Sequence, residues 1–377
     1  MQTKQVHGDV ISGSRFPKKY FGAYSARLSK IPNLVEPQVK SFEWLAREGL
    51  NEVFKEFSSI NDYSGKKFEF RFLGVTLSEP KNDEYYAKDN KLSYEGTLKA
   101  TVELVNKTLG TTKEQEIFMA DFPIMTKHGT FIISGIERVI VPQLARSFGV
   151  FFTSDEIKGK RCFGGKIIPS RGVWIEIETD YDGAIYVRID RKRKFGVTSL
   201  FRVLGANTDE KIINLLANNP HAKAHFETTF AKDHAKTADE SYLEIHKRLR
   251  DGEIGTVENA KDFVSNILSP ERYDISKVGR FRFNKRFNKP MEGKDADRRT
   301  INLDDLVTIV NHIINLNNTP DAFEDDIDHL GSRRARFVGE LLQQKIRVGI
   351  TQIKRNIQDR MSIIDVDTAM PIAIINQ

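Results

Sequence analysis

GVWIEIETDYDGAIYVRID, residues 172–190, alternates apolar and polar residues on either side of a single turn. A period of two marks a strand with one buried face. The pattern predicts two antiparallel strands joined by the loop Tyr181-Asp182-Gly183, with glycine at the left-handed position such loops favour. In that register Trp174 faces Asp190 and Glu176 faces Arg188 on one side of the hairpin. Val173, Ile175 and Ile177 share the other side with Ile185, Val187 and Ile189, the set expected to be buried. The polar side therefore ends in a tryptophan and an aspartate next to the basic run Arg191-Lys192-Arg193-Lys194.

Upstream of the hairpin the pattern is first helical and then extended. Val39, Phe42, Leu45, Leu50, Val53 and Phe57 fall at roughly helical spacing, which predicts an amphipathic helix over 35–57. From Lys67 onward KFEFRFLGVTL, LKATVELVN, EQEIFMADFPIM and TFIISGIERVIV alternate as strands, with TKHG (126–129) as a hairpin turn. Polar connections are expected at 90–96 and 108–112. A second unit begins near Val141, and KGKRCFGGK within it reads as a loop.

Downstream, residues 208–317 read as mostly helical, with Asn207 and Glu210 spaced as a capping box. RFRFNKRFNKP (280–290) interleaves five basic residues with three phenylalanines. Two readings fit it: a nucleic-acid contact with stacking rings, or a strand or loop whose aromatic side is core, the expectation preferred here. Val338, Leu342, Ile346, Ile350, Ile353, Ile357 and Met361 predict a long helix over 332–361.

A chain of 377 residues accommodates about two domains. The single cysteine, Cys162, excludes an internal disulfide and a cysteine-based zinc cluster, which points to a reducing compartment. No apolar run is long enough for a membrane span, and the opening residues lack a secretory core, so 1–30 is expected to be a flexible lead-in and the location cytoplasmic. Basic residues are unevenly placed. They outnumber acidic ones twelve to seven over 138–194, ten to four over 272–299 and eight to two over 333–360. Three such runs favour a polyanionic partner over merely solvated faces.

Candidate chemistry is sparse. ETDYDGA (178–184) resembles a polymerase metal loop but has Ala184 where a third carboxylate is needed. DIDHLG (326–331) fails as a calcium loop, because its fifth position is Leu330 and its twelfth Phe337. Asp326, Asp328 and His329 remain as transition-metal ligands of a nuclease-like site, without a second histidine nearby and with Arg333, Arg334 and Arg336 competing for the carboxylates. Charge at a helix N-terminus and ion pairs to these arginines explain the cluster without a metal. No phosphate loop or nucleophile elbow occurs, and His312, beside an apolar stripe, reads as a surface residue.

Three stretches carry a resemblance. These are FPIMTKHGTFIISGIERVIVPQLARSFGVFF (122–152), IIPSRGVWIEIETDYDGAIYVRIDRKRKFG (167–196) and DDIDHLGSRRARFVGELLQQKIRVGI (325–350). Together they resemble the N-terminal part of the β subunit of bacterial RNA polymerase. SPERYDISKVGRFRFNKRF (269–287) and DRMSIIDVDTAMP (359–371) fit the same family in the same order. The resemblance implies an α+β fold, with an antiparallel-sheet protrusion (31–140 and 330–377) interrupted by a hairpin-plus-helical lobe (141–329). Together these would form a wall of the downstream DNA channel.

In similar proteins, residues matching Arg146, Trp174, Asp190, Asp328 and Arg333 meet the non-template strand. The tryptophan stacks on one base, and the others line a pocket for a splayed-out guanine. Arg191, Lys192 and Arg193 adjoin that pocket and are counted with it. Repair-coupling translocases of such systems add a strand near the position matching TKEQE (112–116), which makes Lys113 and Glu114 candidates for docking. The same charges also serve to protect a sheet edge.

The catalytic magnesium belongs to another subunit of the family's enzyme, so no cofactor is expected in this chain. The rifamycin segment, the lysines at the RNA 3′ end and the flap would follow PIAIINQ (371–377), so the chain alone is not expected to polymerise. The implied partners are the downstream duplex, the remaining β segment, β′, α, ω and sigma. The alternative is a free-standing module that docks transcription or repair factors. Phe148, where the family has proline, and Ser332, where it has asparagine, depart from the pattern.

Overall fold

The structure is a computed structural model that describes residues 33–250, 255–293, 295–366 and 369–375, so the expected lead-in at 1–30 lies outside the described residues. The chain forms two compact units, Met1–Pro142 with Phe337–Gln377 and, inserted between those segments, Gln143–Arg336. Both combine helices with antiparallel sheets, the expected α+β class.

The first unit opens with α1 (Glu36–Trp44) and α2 (Leu50–Glu56), joined through a π-helical turn, Leu45–Gly49. The turn answers a spacing in the sequence. Apolar residues step by three from Phe42 to Leu45 and then by five to Leu50, and the Leu50 N–H donates to the Leu45 carbonyl. One extra residue in the turn keeps Phe42, Leu45, Leu50 and Val53 buried on a common side. Next come β1 (Ser59–Asn61), β2 (Phe68–Leu77), the short helix α3 (Glu84–Asp89), β3 (Glu95–Asn106) and β4 (Thr111–Pro123). The four strands form a meander in sequence order, with β4 at an edge. The 90–96 connection is thus preceded by a helix that the alternation did not announce. TKHG turns the chain as expected, with the Thr126 N–H on the Thr130 carbonyl at 2.8 Å and Met125 bridging Phe131. A small hairpin follows, β5 (Phe131–Ile133) and β6 (Ile136–Arg138).

The second unit begins with β7 (Gln143–Arg146). β8 (Gly149–Ile157), β9 (Lys160–Ile168), β10 (Ile175–Thr179), β11 (Ile185–Ile189) and β12 (Phe195–Gly196) then build a five-stranded antiparallel sheet in sequence order. Cys162 lies in β9 and is buried; its segment is a strand and not the expected loop, because it pairs along its length with β8. Helices follow: α4 (Val197–Val203), α5 (Asp209–Leu215), α6 (Ala222–Lys232), α7 (Ala238–Leu249), α8 (Val257–Leu268), α9 (Ser276–Arg286) and α10 (Leu303–Asn318).

Two sequence expectations shift here. The cap of α5 is Thr208, which accepts from the Lys211 N–H, one residue later than the box expected from Asn207. RFRFNKRFNKP is largely the helix α9 and not a strand or loop. The expected core role does hold for Phe283, which is buried, and for Phe287, which packs on the same core.

The unit ends in β13 (Arg333–Arg336), which pairs with β7. The helix expected from Ser332 therefore begins only at α11 (Val338–Ile363), and the chain leaves the second unit at Phe337 instead of near residue 330. A short α12 (Pro371–Ile374) closes the described chain.

The start of α11 has no side-chain cap of its own. Its first N–H groups are satisfied from α1 instead: Val338 donates to Gln38 Oε1 and Gly339 to Ser41 Oγ, each at 3.0 Å. Val338, Ile350, Ile357 and Met361 then join the core of the first unit with Phe68, Phe70, Val102 and Leu104. In the second unit the inward residues of the 172–190 hairpin pack with Leu306, Ile309, Val310, Ile313 and Ile314 of α10. No helix among the described residues is long and apolar enough to cross a membrane.

Candidate nucleic-acid interface

The hairpin has the expected register. Ile175 pairs with Ile189, Glu176 with Arg188 and Thr179 with Ile185, and the loop is closed by the Asp180 N–H on the Ala184 carbonyl at 2.8 Å. Gly183 has φ +89°. One residue beyond the paired strands, the Asp190 N–H donates to the Trp174 carbonyl at 2.9 Å, which fixes the two side by side. Arg188 turns diagonally to Glu178 at 3.2 Å, while Glu176 faces Lys166 on β9 at 3.5 Å.

The backbone at this corner is unusual. Asp190 and Arg191 both have positive φ, 50° and 58°, and the Lys192 N–H closes the turn on the Ile189 carbonyl at 3.0 Å. These are the φ signs of a type I′ turn, a position that asparagine and glycine fill without strain and arginine does not. The turn carries the Arg191 guanidinium over the Trp174 ring, 5.6 Å from its centroid. Arg191, Lys192 and Arg193 are all exposed.

Arg146, Asp328 and Arg333 meet at a second place. β13 pairs with β7 so that Arg333 lies directly opposite Arg146. Like charges facing across an antiparallel pair repel. Asp328 answers one of them, with Oδ1 at 2.5 Å from Arg333 Nη2. Arg146 is exposed and makes no ion pair among the described residues. The pair ribbon thus presents more positive charge than its own carboxylate neutralises.

The sheet register relates the two places. Gly149 of β8 pairs with Ile168, and continuing the β9–β10 and β10–β11 registers by one residue sets Ile168 beside Trp174 and Trp174 beside Asp190. All four lie in one row at one end of the sheet. Adjacent strands are about 4.8 Å apart, so Gly149 and Trp174 are separated by roughly 10 Å. Arg146 lies three residues before Gly149. The aromatic ring and carboxylate thus lie at the end of the sheet from which the chain leads back, within three residues of Gly149, to the arginine pair.

The loop that carries Asp328 is anchored by residues that the sequence reading did not assign. Arg286 of α9 makes a bidentate pair with Asp325, at 2.6 and 2.9 Å. Asp325 also accepts from the Phe152 N–H at 2.7 Å and donates its own N–H to the Phe152 carbonyl at 2.9 Å, closing the open edge of β8. Arg282 donates to the Gly331 carbonyl at 2.9 Å. The basic run in 280–290 was the available signal, but its partners are distant in sequence. Phe148 is buried below the Arg334 guanidinium, 4.7 Å from ring centroid to guanidinium carbon, so the departure at this position fills core space. Ser332 acts through its backbone, donating to His329 and accepting from Ser147.

The metal reading loses its ligands to these contacts. Asp326 Oδ1 accepts from the Asp328 and His329 N–H groups, His329 Nδ1 accepts from the Gly331 N–H, and Asp328 holds Arg333. No group of three metal-capable side chains occurs among the described residues. The helix-dipole explanation also fails, since α11 begins ten residues after Asp328.

His312 is not a surface residue. It is half-buried, 4.4 Å from the Phe152 ring and 5.6 Å from the Phe287 ring, centroid to centroid. Burial and then the Arg286 charge depress its pKa below 6.5, outweighing the attraction of Asp325. The folded state therefore resists protonation while the unfolded chain accepts it, so stability erodes as pH falls through 6.5. We expect His312→Leu to flatten this limb between pH 7 and 5. Parallel urea titrations of both proteins check it; equal slopes would remove His312 as the cause.

Lys113 and Glu114 lie on β4 in the first unit, away from this grouping in the chain. Lys113 Nζ donates to the Ala369 carbonyl at 2.9 Å, and Glu114 is exposed.

The profile of the family described as RNA polymerase Rpb2, domain 2, matches residues 146–336, just over half of the chain and nearly the whole second unit. The DNA-directed RNA polymerase subunit beta of Chloroflexus aggregans is 41% identical over 92% of this chain and 31% of its own length. That of Staphylococcus saprophyticus is 36% identical over 98% of this chain and 38% of its own, and that of Geobacillus thermodenitrificans gives the same figures. The chain thus spans about a third of the length of the curated relatives it matches. A profile whose limits fall within β7 and at the end of β13, and relatives alike along nearly all of the chain, make it a member of the RNA polymerase β-subunit (Rpb2) family.

Proposed function

We propose that the chain serves a DNA-directed RNA polymerase as the protrusion, the first unit, and the lobe, the second unit. The lobe's sheet end would hold the non-template strand beside the downstream channel. The observations that support this reading are the row that sets Trp174 beside Asp190 and the facing of Arg333 with Arg146, three residues before Gly149 of the same row. A partly exposed indole such as that of Trp174 offers a stacking platform. Arginine and aspartate together complement the acceptor and donor edges of guanine. On this reading Asp328 steers Arg333 and shares the base, and Arg191 to Arg193 meet phosphates.

Nucleotidyl transfer and its magnesium would reside in another subunit, with the remaining β segment, β′, α, ω and sigma as partners in the cytoplasm. Trp174→Ala in the assembled enzyme is expected to weaken non-template-strand contacts about tenfold, the scale of one lost base stack. Crosslinking of the open complex reads this directly. Undiminished contacts, or an Asp328→Ala enzyme that still prefers guanine, would count against the pocket.

The edge position of β4 supports a second role. A partner strand added along Lys113 and Glu114 would extend the meander, as a repair-coupling translocase does in similar systems. A free-standing docking module would use this edge alone. Recovery of the other polymerase subunits with the tagged chain separates that alternative from the first reading.

A further inference from the structure

Helix α9 carries a surface that the pocket does not use. Residues 275–291 contain six basic residues and no acidic one. Three are engaged inside the unit: Arg280 and Lys289 with Asp305, and Arg286 with Asp325. Arg282 is held by the Gly331 carbonyl, within the loop between Asp328 and Arg333. Lys277 and Lys285 are exposed and make no ion pair among the described residues.

Phe281 stands four residues from each of these lysines, so the three share one face of the helix. Its side chain is 54% exposed, beside Val278 at 49%, while Phe283 is buried on the other side. A single exposed phenylalanine is ordinary. This one lies between two unneutralised ammonium groups, on a helix without a carboxylate. The cores of protein–protein interfaces are poor in lysine. A ring flanked by cations fits a nucleic-acid strand, whose bases stack while its phosphates are neutralised. The same helix packs, through its neighbouring side, against the row of the candidate pocket. A Cβ on Gly149, in the row of Trp174, would sit 3.8 Å from Arg282 Cβ and the Gly279 carbonyl, both on α9.

We propose that the Lys277–Phe281–Lys285 face binds a single-stranded nucleic acid segment continuous with the pocket. Phe281 stacks on one base, and the lysines, about 12 Å apart along the helix axis, meet phosphates on either side. In placing the strand there, the proposal rests on the reading of the pocket as a nucleic-acid site.

The test uses the full 377-residue chain and a fluorescein-labelled oligothymidylate, about 15 nucleotides long, with thermal unfolding as a check on each variant. Phe281→Ala and Phe281→Leu should weaken binding about tenfold and Phe281→Tyr should retain it, because stacking needs the ring and not the bulk. The Lys277→Gln/Lys285→Gln protein should lose about 1.4 from the slope of log affinity against log salt, for two phosphates on a single strand. Unchanged binding in these variants overturns the proposal, and is the result expected if the face docks a protein. So does a wild-type chain that does not bind the oligonucleotide. Trp174→Ala separates the two readings. Loss there alone leaves the pocket standing without this face, and loss in the α9 variants alone upholds this face without the pocket.

Discussion

Asp305→Ala is expected to lower the stability of the second unit by about 4 kcal/mol, the range for breaking a buried ion pair from one side. Arg280 and Asp305 are almost wholly buried and meet through two bonds, 3.0 and 2.9 Å long. Burial by itself would raise the Asp305 carboxyl. Hydrogen bonds and charge from Arg280, with Arg298 and Lys289 adding charge, outweigh burial and hold it below the usual carboxylate range. Its contribution is therefore complete at neutral pH and is lost only as pH falls through the acid range below about 4.

The substitution also removes the capping box of α10, in which Asn302 and Asp305 satisfy each other's N–H groups. Replacing both partners by apolar residues is not expected to restore stability. Arg280 also donates to the Arg298 and Thr300 carbonyls at 2.7 Å, and Arg280→Met would leave both without that donor. The chain's two tryptophans allow a clean measurement, because Trp44 lies in the first unit and Trp174 in the second. In a Trp44→Phe background, urea unfolding followed by fluorescence reports the second unit alone. A loss under about 1 kcal/mol would show that the pair is not what fastens α9 to α10.

Gly339→Ala should be nearly as damaging to the first unit. A Cβ at this position would lie 2.1 Å from the Ser41 carbonyl oxygen, a backbone atom that cannot rotate away. Relief requires α11 to lift from α1, which would break the Gln38 and Ser41 bonds that satisfy its first turn. We expect a cost of about 3 kcal/mol, at the upper end for overpacking. The gain in helix propensity, about 1 kcal/mol, is too small to offset it. Ser41→Ala removes one capping bond but leaves the carbonyl in place, so it should not rescue the alanine. Unfolding followed through Trp44 in a Trp174→Phe background reads the effect, and an unchanged midpoint would mean that the helices separate without cost.

The hairpin at 172–190 was legible because two local signals agree, period-two alternation and a glycine at the right place in a short loop. The α1–α2 helix was legible too, and even its π turn has a trace in the five-residue step from Leu45 to Leu50. What escaped depends on distant partners. Arg333-Arg334-Ala335-Arg336 has no apolar alternation to mark it as a strand; it is one because β7, far away in the chain, offers a free edge. In α9 the helical step from Phe283 to Phe287 was hidden by Phe281, whose alternation with Phe283 imitates a strand. That Arg280 is buried while Lys277 is exposed follows from where Asp305 lies, and nothing adjacent to either residue reveals it. For the candidate pocket, the sequence reading placed Trp174 beside Asp190 through the hairpin register. The facing of Arg146 and Arg333 required the folded unit.

That facing has a consequence for how the unit is joined. β7 is its first strand and β13 its last, and their paired Cα atoms lie about 5 Å apart. The insert therefore closes on itself like a purse at its drawstring, and a short peptide would span the gap that its removal leaves. The arginines sit on that drawstring, so they come into opposition only after the intervening chain has folded and returned. A polyanion bridging them would bind the finished unit and not the open chain, and would tighten the seam by mass action. A ligand for this corner would then also report that the unit had closed.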